Sequence, residues 1–142
     1  SVSILQDRSN GNLIAMPIEI VVKKNINGHR ILDYDIKDND HEKVIKVSDR
    51  KIFNQLSDLA KNAFTALGGK SLGRIDIKMN HRGVPHFIEA NLMPGLRKGY
   101  FYRSCLLNLN ISYEQMILIV ADNGLSSQKI NFSIANTELS AH

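Results

Sequence analysis

Apolar residues recur every three or four positions between residues 49 and 67, which is the spacing of one face of an α-helix. Ser48 or Asp49 can cap the start of this segment, and Gly68-Gly69 can end it. The pattern predicts a long core helix that covers a face of a sheet. Its apolar stripe contains Ile52, Leu56, Leu59, Ala60, Ala63, Phe64 and Leu67.

Segments rich in β-branched residues predict strands before this helix. Residues 1–5 and 13–22 predict two strands, and Pro17 indicates that the second is an edge strand or contains a bulge. Residues 33–50 are highly charged and predict an exposed loop that either connects two elements or closes over a ligand. A short strand is expected inside this loop, at Val44–Val47.

A β-hairpin is predicted after the helix, with a four-residue turn at Asn80-His81-Arg82-Gly83. Alternate residues of a strand share a face, so the hairpin has one polar face and buries Ile75 and Ile77 under the helix. The polar face is expected to hold Arg74, Asp76, Lys78, Phe87, Glu89 and Asn91.

The register of this hairpin follows from the turn. A four-residue turn places Met79 opposite Val84, Lys78 opposite Pro85, Asp76 opposite Phe87, Arg74 opposite Glu89 and Leu72 opposite Asn91. Asp76 and Glu89 are then diagonal neighbours, with backbones about 7–8 Å apart, and a cation could lie between their carboxylates.

Two shorter helices are expected after the hairpin. The first spans Tyr100 to Leu109, and the second begins at Ser112, where Ser112-x-x-Gln115 resembles a capping box. The predicted fold is α+β, a mainly antiparallel sheet with helices packed on one face, within one domain over residues 1–125. Residues 126–142 are polar and predict a loose end or one extra strand.

Composition narrows the class of protein. The chain of 142 residues has no apolar run near the roughly 20 residues that cross a bilayer, and it begins within a predicted strand without a methionine, which suggests a fragment. The single cysteine, Cys105, is compatible with a reducing cytoplasm, and the five histidines have no zinc-site spacing.

A net charge of +4 favours an anionic partner or reflects a basic solvated surface. That partner could be nucleic acid, although the basic residues form no long run and tryptophan is absent, and the phosphates of a nucleotide fit equally well.

The polar face of the hairpin suggests chemistry. Two carboxylates and an amide form a hard-oxygen set that suits Mg²⁺ rather than Zn²⁺, and Arg74 beside them offers a cationic fork to a phosphoryl group. The structural alternative is an Arg74–Glu89 salt bridge with a solvated Asp76. Gly95, in the following loop, leaves its backbone N–H open to close approach, as an oxyanion requires.

Three motifs resemble the C-terminal part of ATP-grasp enzymes, above all the D-alanine–D-alanine ligase family. They are Gly73-Arg74-Ile75-Asp76, Ile88-Glu89-Ala90-Asn91 and Met93-Pro94-Gly95-Leu96, and the order of elements over about residues 1–125 is also similar. The resemblance implies an ATP-dependent carboxylate–amine ligase of the cytoplasm, which forms an acyl phosphate and releases ADP and phosphate.

The resemblance also implies roles for residues at matching positions. Arg74 binds ATP phosphate and stabilises phosphoryl transfer, Gly95 offers its amide to the tetrahedral intermediate, and Lys37 contacts ATP phosphate from the charged loop. Two Mg²⁺ ions are expected on Asp76, Glu89 and Asn91.

The chain departs from the family pattern at the acceptor side. Asp38 replaces the usual tyrosine after the loop lysine, and Tyr100 stands where the family has a serine that holds the second substrate's carboxylate. Arg97 and Lys98 replace small hydroxyl residues in the same loop, which suggests a more acidic acceptor. Arg97, Lys98 and Tyr100 are therefore the candidate substrate-binding residues.

Three functional interpretations are compatible with the sequence. The first is a D-alanine–D-alanine ligase-like enzyme whose N-terminal domains are missing from this chain, so that the fragment is expected to be inactive alone. The second is an ATP-grasp ligase with another amino-acid or peptide acceptor. The third is a non-catalytic nucleotide- or nucleic-acid-binding module, in which Asp76 and Glu89 have no role.

Overall fold

The computed structural model describes residues 1–22 and 42–125 of the chain. The predictions for Lys37, Asp38 and the segment 126–142 lie outside these residues. The described elements are β1 (Val2–Gln6), β2 (Leu13–Val22), β3 (Glu42–Lys46), α1 (Arg50–Ala66), β4 (Leu72–Met79), β5 (Pro85–Asn91), α2 (Tyr100–Leu109) and α3 (Tyr113–Leu125).

The strands form one five-stranded sheet in the order β3-β2-β1-β4-β5, and every neighbouring pair is antiparallel. The α+β class is therefore confirmed. The strand expected at Val44–Val47 is present as β3, two residues earlier. Short connections join β1 to β2 and β4 to β5. Strands β1 and β4 are neighbours in the sheet, although β2, β3 and α1 separate them in the sequence.

Helices cover both faces of the sheet, so the expectation that they pack on one face is wrong. Strand β1 is the reason: it is buried on both sides, with Val2 and Ile4 facing α1 and Ser3 and Leu5 facing α2. A strand without an exposed face needs cover on each side. The first core contains Val2, Ile4, Leu56, Ala60, Phe64 and Ile75, and the second Leu5, Met16, Phe101, Cys105 and Met116.

The ends of α1 follow the sequence signals. The Asp49 carboxylate accepts a hydrogen bond of 2.9 Å from the Ile52 N–H, and Gly68 takes a positive φ of 69° after the last turn. Near this end the Phe64 ring lies so close to Gly73 of β4 that a Cβ there would be 2.6 Å from Phe64 Cε2. The glycine that opens the first motif therefore has a packing role.

Pro17 does not mark an edge strand, since β2 lies between β3 and β1. Ile18 and Ser1 exchange both backbone hydrogen bonds, so the N–H and C=O of Ile18 point towards β1. Neighbouring residues of a strand point their backbone groups in opposite directions, so the nitrogen of Pro17 points towards β3. Pairing with β3 begins only at Ile18. Pro17 thus occupies a position where no ladder hydrogen bond is lost.

The two C-terminal helices begin and end near the predicted residues. Ser112 and Gln115 form the expected capping box, in which the Gln115 side chain accepts from Ser112 N at 2.8 Å and Ser112 Oγ accepts from Gln115 N at 3.2 Å. In residues 1–22 and 42–125 no single helix has the length and apolarity to cross a membrane, and only α2 and α3 together, bent by 102°, meet that test by length and composition.

Candidate active site

The tip of the β4–β5 hairpin differs from the predicted four-residue turn. Asn80 N donates to Val84 O at 3.0 Å and Gly83 N donates to Asn80 O at 3.0 Å, so Asn80 lies opposite Val84 around a three-residue loop. Gly83 supplies the positive φ of 74° that such a loop requires at its last residue. The predicted pairing of Met79 with Val84 is wrong by one residue for this reason.

A β-bulge then shifts the register a second time. Between Asp76 and Ile77 the pairing skips one residue of β5, which leaves Ile88 without a partner across the strands. The observed pairs are Met79–Pro85, Lys78–His86, Ile77–Phe87, Asp76–Glu89, Ile75–Ala90 and Arg74–Asn91. The predicted pairs for Lys78, Asp76, Arg74 and Leu72 are therefore wrong, and Asp76 lies directly opposite Glu89 rather than diagonal to it.

The two shifts together keep five of the six predicted residues on one face, and Lys78 is among them by alternation along β4. Ser3 pairs with Arg74 and donates a hydrogen bond of 3.0 Å to Ser104 of α2, which places the polar face on the α2 side of the sheet. That face carries Arg74, Asp76, Glu89 and Asn91, as predicted. Phe87 is the exception: it pairs with Ile77, because the bulge separates its face from that of Glu89.

Arg74 and Asp76 form a bidentate ion pair. Arg74 Nε donates to Asp76 Oδ1 at 3.2 Å and a terminal guanidinium nitrogen donates to Oδ2 at 2.8 Å, with 20% and 27% of the side chains exposed. The alternative Arg74–Glu89 salt bridge is absent from the described ion pairs. Burial raises the pKa of Asp76, but hydrogen bonds, those from Arg74 first, outweigh it and lower the pKa below its usual value.

The loop after β5 begins with a side-chain turn. Asn91 Oδ1 accepts a hydrogen bond of 3.0 Å from Met93 N, which turns the chain away from the strand towards the buried Pro94. Gly95 follows on the surface, and no atom lies within 4 Å of the place where its Cβ would be. Nothing in the described structure therefore requires glycine at position 95 for packing.

Tyr100, the first residue of α2, lies against the ion pair. The guanidinium carbon of Arg74 is 5.7 Å from the centre of the Tyr100 ring, and the Tyr100 hydroxyl donates a hydrogen bond to Glu42 Oε2. Of the other two candidate substrate residues, Arg97 is exposed, and Lys98 Nζ lies 5.5 Å from the centre of the Tyr113 ring. Sequence reasoning missed Glu42, because only the fold brings β3 to the start of α2.

An open cleft of about 1020 Å³ lies beside these residues, in the gap between β2 and β4 next to Ser1, where the intervening strand β1 begins. Its walls include Arg74, Asp76, Glu89 and Tyr100, together with Lys46 of β3 and Lys78 of β4. Cationic and anionic side chains thus share one concave surface. This mixture of charges suits a ligand that combines phosphate groups with divalent cations.

The donor set fits Mg²⁺ held jointly with a phosphate ligand. Residues 1–22 and 42–125 contain no group of three or more His, Cys, Asp or Glu side chains that could hold a metal ion. Asp76 and Glu89 supply two carboxylates in register, and Asn91 lies next to Glu89 on the same face. Mg²⁺ is typically held by one or two carboxylates plus water and substrate phosphates.

Fold and site define a class: an antiparallel α+β domain that presents an arginine and paired carboxylates on a hairpin beside an open cleft. A protein-family model described as the D-ala D-ala ligase C-terminus matches residues 1–121. The chain belongs to this family, and the resemblance noted from its motifs is confirmed.

Individual relatives agree with the family assignment. A D-alanine–D-alanine ligase of Limosilactobacillus fermentum is 31% identical over 94 residues, which cover 63% of this chain and 25% of that protein. Ligases of the same name from Streptococcus thermophilus and Clostridium beijerinckii are 31% and 22% identical over 88 and 89 residues. The chain spans between a quarter and a third of the length of these relatives.

Proposed function

We propose that this chain forms the cation-binding wall of the active site in an ATP-dependent, ADP-forming ligase of the ATP-grasp type, which joins a carboxylate to an amine. The observation that carries the proposal is the direct pairing of Asp76 with Glu89 beside Arg74, inside the segment that matches the ligase family. A salt-bridged surface hairpin would not need two carboxylates opposite each other, since like charges in that position are destabilising.

The proposed reaction has two steps. An oxygen of the substrate carboxylate attacks the γ-phosphorus of ATP, ADP leaves, and an acyl phosphate forms. The amine nitrogen of the second substrate then attacks the acyl carbon, the C–O bond to phosphate breaks, and phosphate leaves with the transferred oxygen. Catalysis of such steps rests on positioning and on charge stabilisation.

Each site residue has a proposed part in these steps. Asp76, Glu89 and Asn91 hold Mg²⁺, which when bound neutralises charge on the phosphates. Arg74 contacts the transferring phosphoryl group with guanidinium donors that the Tyr100 ring leaves accessible. The backbone N–H of Gly95, exposed after Pro94, donates to the oxyanion of the second step. Lys37 is proposed as a further phosphate contact.

The acceptor can be proposed from residues at the start of α2 and in the loop before it. The relatives are named for D-alanine, but this chain places Tyr100 beside Arg74 and carries Arg97 and Lys98 in the adjoining loop. We propose an amino-acid or peptide acceptor more acidic than D-alanine. The hypothesis requires that Arg97→Ala and Lys98→Ala each weaken acceptor affinity in the full-length protein. Unchanged affinity in both variants would remove it.

The experiment is a substrate screen with the full-length protein. ADP release is measured with ATP, Mg²⁺ and each of the standard amino acids and D-alanine, singly and in pairs, and the products are identified by mass. We expect one pair to support ADP release, and Asp76→Asn and Glu89→Gln to reduce kcat at least about 100-fold. Asp58→Asn, on the exposed side of α1, is the matched control and should retain activity.

The same variants distinguish the ligase from a non-catalytic phosphate-binding module. A module that binds through its positive charge needs neither carboxylate, so Asp76→Asn would leave its Mg²⁺-dependent nucleotide affinity unchanged or improve it. In the ligase, Asp76→Asn weakens that affinity, and a magnesium titration of nucleotide binding separates the two.

A further inference from the structure

A chain of contacts links three elements of the fold at the site. Glu42 of β3 accepts a hydrogen bond from the Tyr100 hydroxyl of α2, the Tyr100 ring lies under the guanidinium of Arg74, and Arg74 donates two hydrogen bonds to Asp76 of β4. Glu42 and Tyr100 are 58 residues apart in sequence. Both side chains of the Arg74–Asp76 pair are mostly buried, at 20% and 27% exposed.

The ion pair alone does not fix Arg74 during the proposed reaction. Both carboxylate oxygens of Asp76 accept hydrogen bonds from Arg74, and the same oxygens are the proposed ligands of Mg²⁺. A cation held by Asp76 would compete for these lone pairs and would repel the guanidinium, so it would weaken the anchor of Arg74 during phosphoryl transfer. A second anchor that uses no carboxylate avoids this conflict.

The Tyr100 ring has the properties of such an anchor. A guanidinium over an aromatic ring is attracted to its face while its N–H donors stay free to point outward. The ring is itself held, because the hydrogen bond to Glu42 fixes the far end of the side chain. The Tyr100 hydroxyl is protonated at neutral pH, and burial, followed by the hydrogen bond and charge of Glu42, raises its pKa further.

We infer that Tyr100 is a positioning residue for Arg74, and that Glu42 holds Tyr100 in place, so that Arg74 keeps its orientation towards the transferring phosphoryl group when Asp76 takes up Mg²⁺. The inference rests on the proposed function. It assigns Tyr100 a part in phosphoryl transfer, different from the substrate contact predicted from the sequence.

The test is a double-mutant cycle in the full-length protein, using the substrates found by the screen. Tyr100→Leu is expected to lower kcat about 30-fold with KM for ATP changed less than about 2-fold, because the loss lies in positioning. In an Arg74→Lys background the same change should cost less than about 3-fold, because Tyr100 acts through Arg74. Tyr102→Leu, two residues along α2, is the matched control and should stay within about 2-fold of the parent.

A second cycle covers the case in which Tyr100→Leu does not fold, which a thermal melt would show. Tyr100→Phe keeps the ring and loses the hydroxyl, and Glu42→Gln weakens the same hydrogen bond. Each should lower kcat about 3-fold, and the double variant should be no worse than either one. Independent, multiplying losses would overturn the link between Glu42 and Tyr100.

The outcomes separate this inference from the proposed function. A Tyr100→Leu loss of under about 2-fold, or an equal loss in both backgrounds, overturns the positioning role while the ligase assignment stands. If Arg74→Lys itself leaves kcat unchanged, Arg74 has no part in phosphoryl transfer, and the proposed function of the site fails first.

Discussion

Asp76 must satisfy two demands that work against each other. It stabilises the fold through its pair with Arg74, and it is the proposed ligand of Mg²⁺ at the same oxygens. The Asp76 side chain is 27% exposed. Its carboxylate can therefore exchange partners more easily than one in a dry core, because water replaces each hydrogen bond as it breaks. The pair with Arg74 thus keeps the Asp76 carboxylate available to the proposed Mg²⁺, and neither side chain is a buried, unpaired charge.

The first prediction concerns acid stability. The pKa of Asp76 is lowered in the folded state, so its ionised form stabilises the fold above the unfolded pKa of about 3.9, and this stabilisation is lost as pH falls through the folded pKa. We expect the free energy of unfolding of the parent chain to fall more steeply below pH 4 than that of Asp76→Asn. Urea denaturation at a series of pH values measures this, with Asp58→Asn as a control for net charge. Parallel curves for the parent and Asp76→Asn would contradict the prediction.

The second prediction concerns Gly95. Since the space around its missing Cβ is open, Gly95→Ala should change the free energy of unfolding by less than about 0.5 kcal/mol. In the full-length protein the added methyl group would block the approach of the substrate to the backbone N–H, and kcat/KM should fall at least about 10-fold. Gly124→Ala, also in open space but on α3, should leave kcat/KM unchanged. Loss of stability without loss of activity would refute the proposed role.

At the level of elements, the hairpin shows how two local irregularities produce one functional face. The three-residue loop moves the β4–β5 register by one position, and the bulge at Ile88 moves it by one more. Without the bulge Glu89 would pair with Ile75 and face α1. The bulge turns Glu89 to the side of Asp76, which is a common use of bulges near active sites.

The third prediction tests the packing that holds this hairpin against α1. Gly73→Ala brings a Cβ within 2.6 Å of the Phe64 ring and should lower the free energy of unfolding by about 1–3 kcal/mol. Phe64→Leu also destabilises the chain, but in that background Gly73→Ala should cost clearly less, because the ring atoms in the way are gone. Urea denaturation of the four variants gives the coupling. A cost of Gly73→Ala that is independent of Phe64 would show that the ring is not the obstacle.

The sequence was informative where structure depends on near neighbours. The apolar period and caps of α1 and the capping box of α3 are local signals, and both helices begin at the predicted residues. Strand alternation also predicted that Arg74 and Asp76 share a face and that Glu89 and Asn91 share a face, but it placed Phe87 wrongly. The register of the β4–β5 hairpin could not be predicted. It depends on the positive φ of Gly83 and on which residue of β5 bulges, and neither has a distinct sequence signal. The helices on both faces and the Glu42–Tyr100 contact depend on pairing between distant segments.

At the scale of the whole molecule, the site described is one wall of an open cleft. The family match covers residues 1–121, and the relatives are three to four times longer than the matching segment. The described residues present an arginine, carboxylates and an exposed glycine amide. The purine and ribose of a nucleotide would need further contacts from the remainder of a ligase of the relatives' length.

The fourth prediction follows from that partial site. The 142-residue chain alone should show no ligase turnover and only weak affinity for Mg²⁺-ATP, whereas the full-length protein should bind and turn over. Calorimetric titration and an ADP-release assay on both proteins at equal concentration give the comparison. Robust turnover by the short chain would mean that the cleft beside Arg74 is a complete active site.

The most direct test of the central claim is the fate of a carboxylate oxygen. The full-length protein is given the donor amino acid with ¹⁸O in its carboxylate, together with ATP, Mg²⁺ and the acceptor, and the released phosphate is analysed by mass. An acyl-phosphate mechanism predicts one ¹⁸O atom per phosphate, because the carboxylate oxygen attacks phosphorus and leaves with it. Phosphate without ¹⁸O, formed at the same rate as ADP, would contradict an acyl phosphate and with it the assignment of Asp76, Glu89 and Arg74 to its formation.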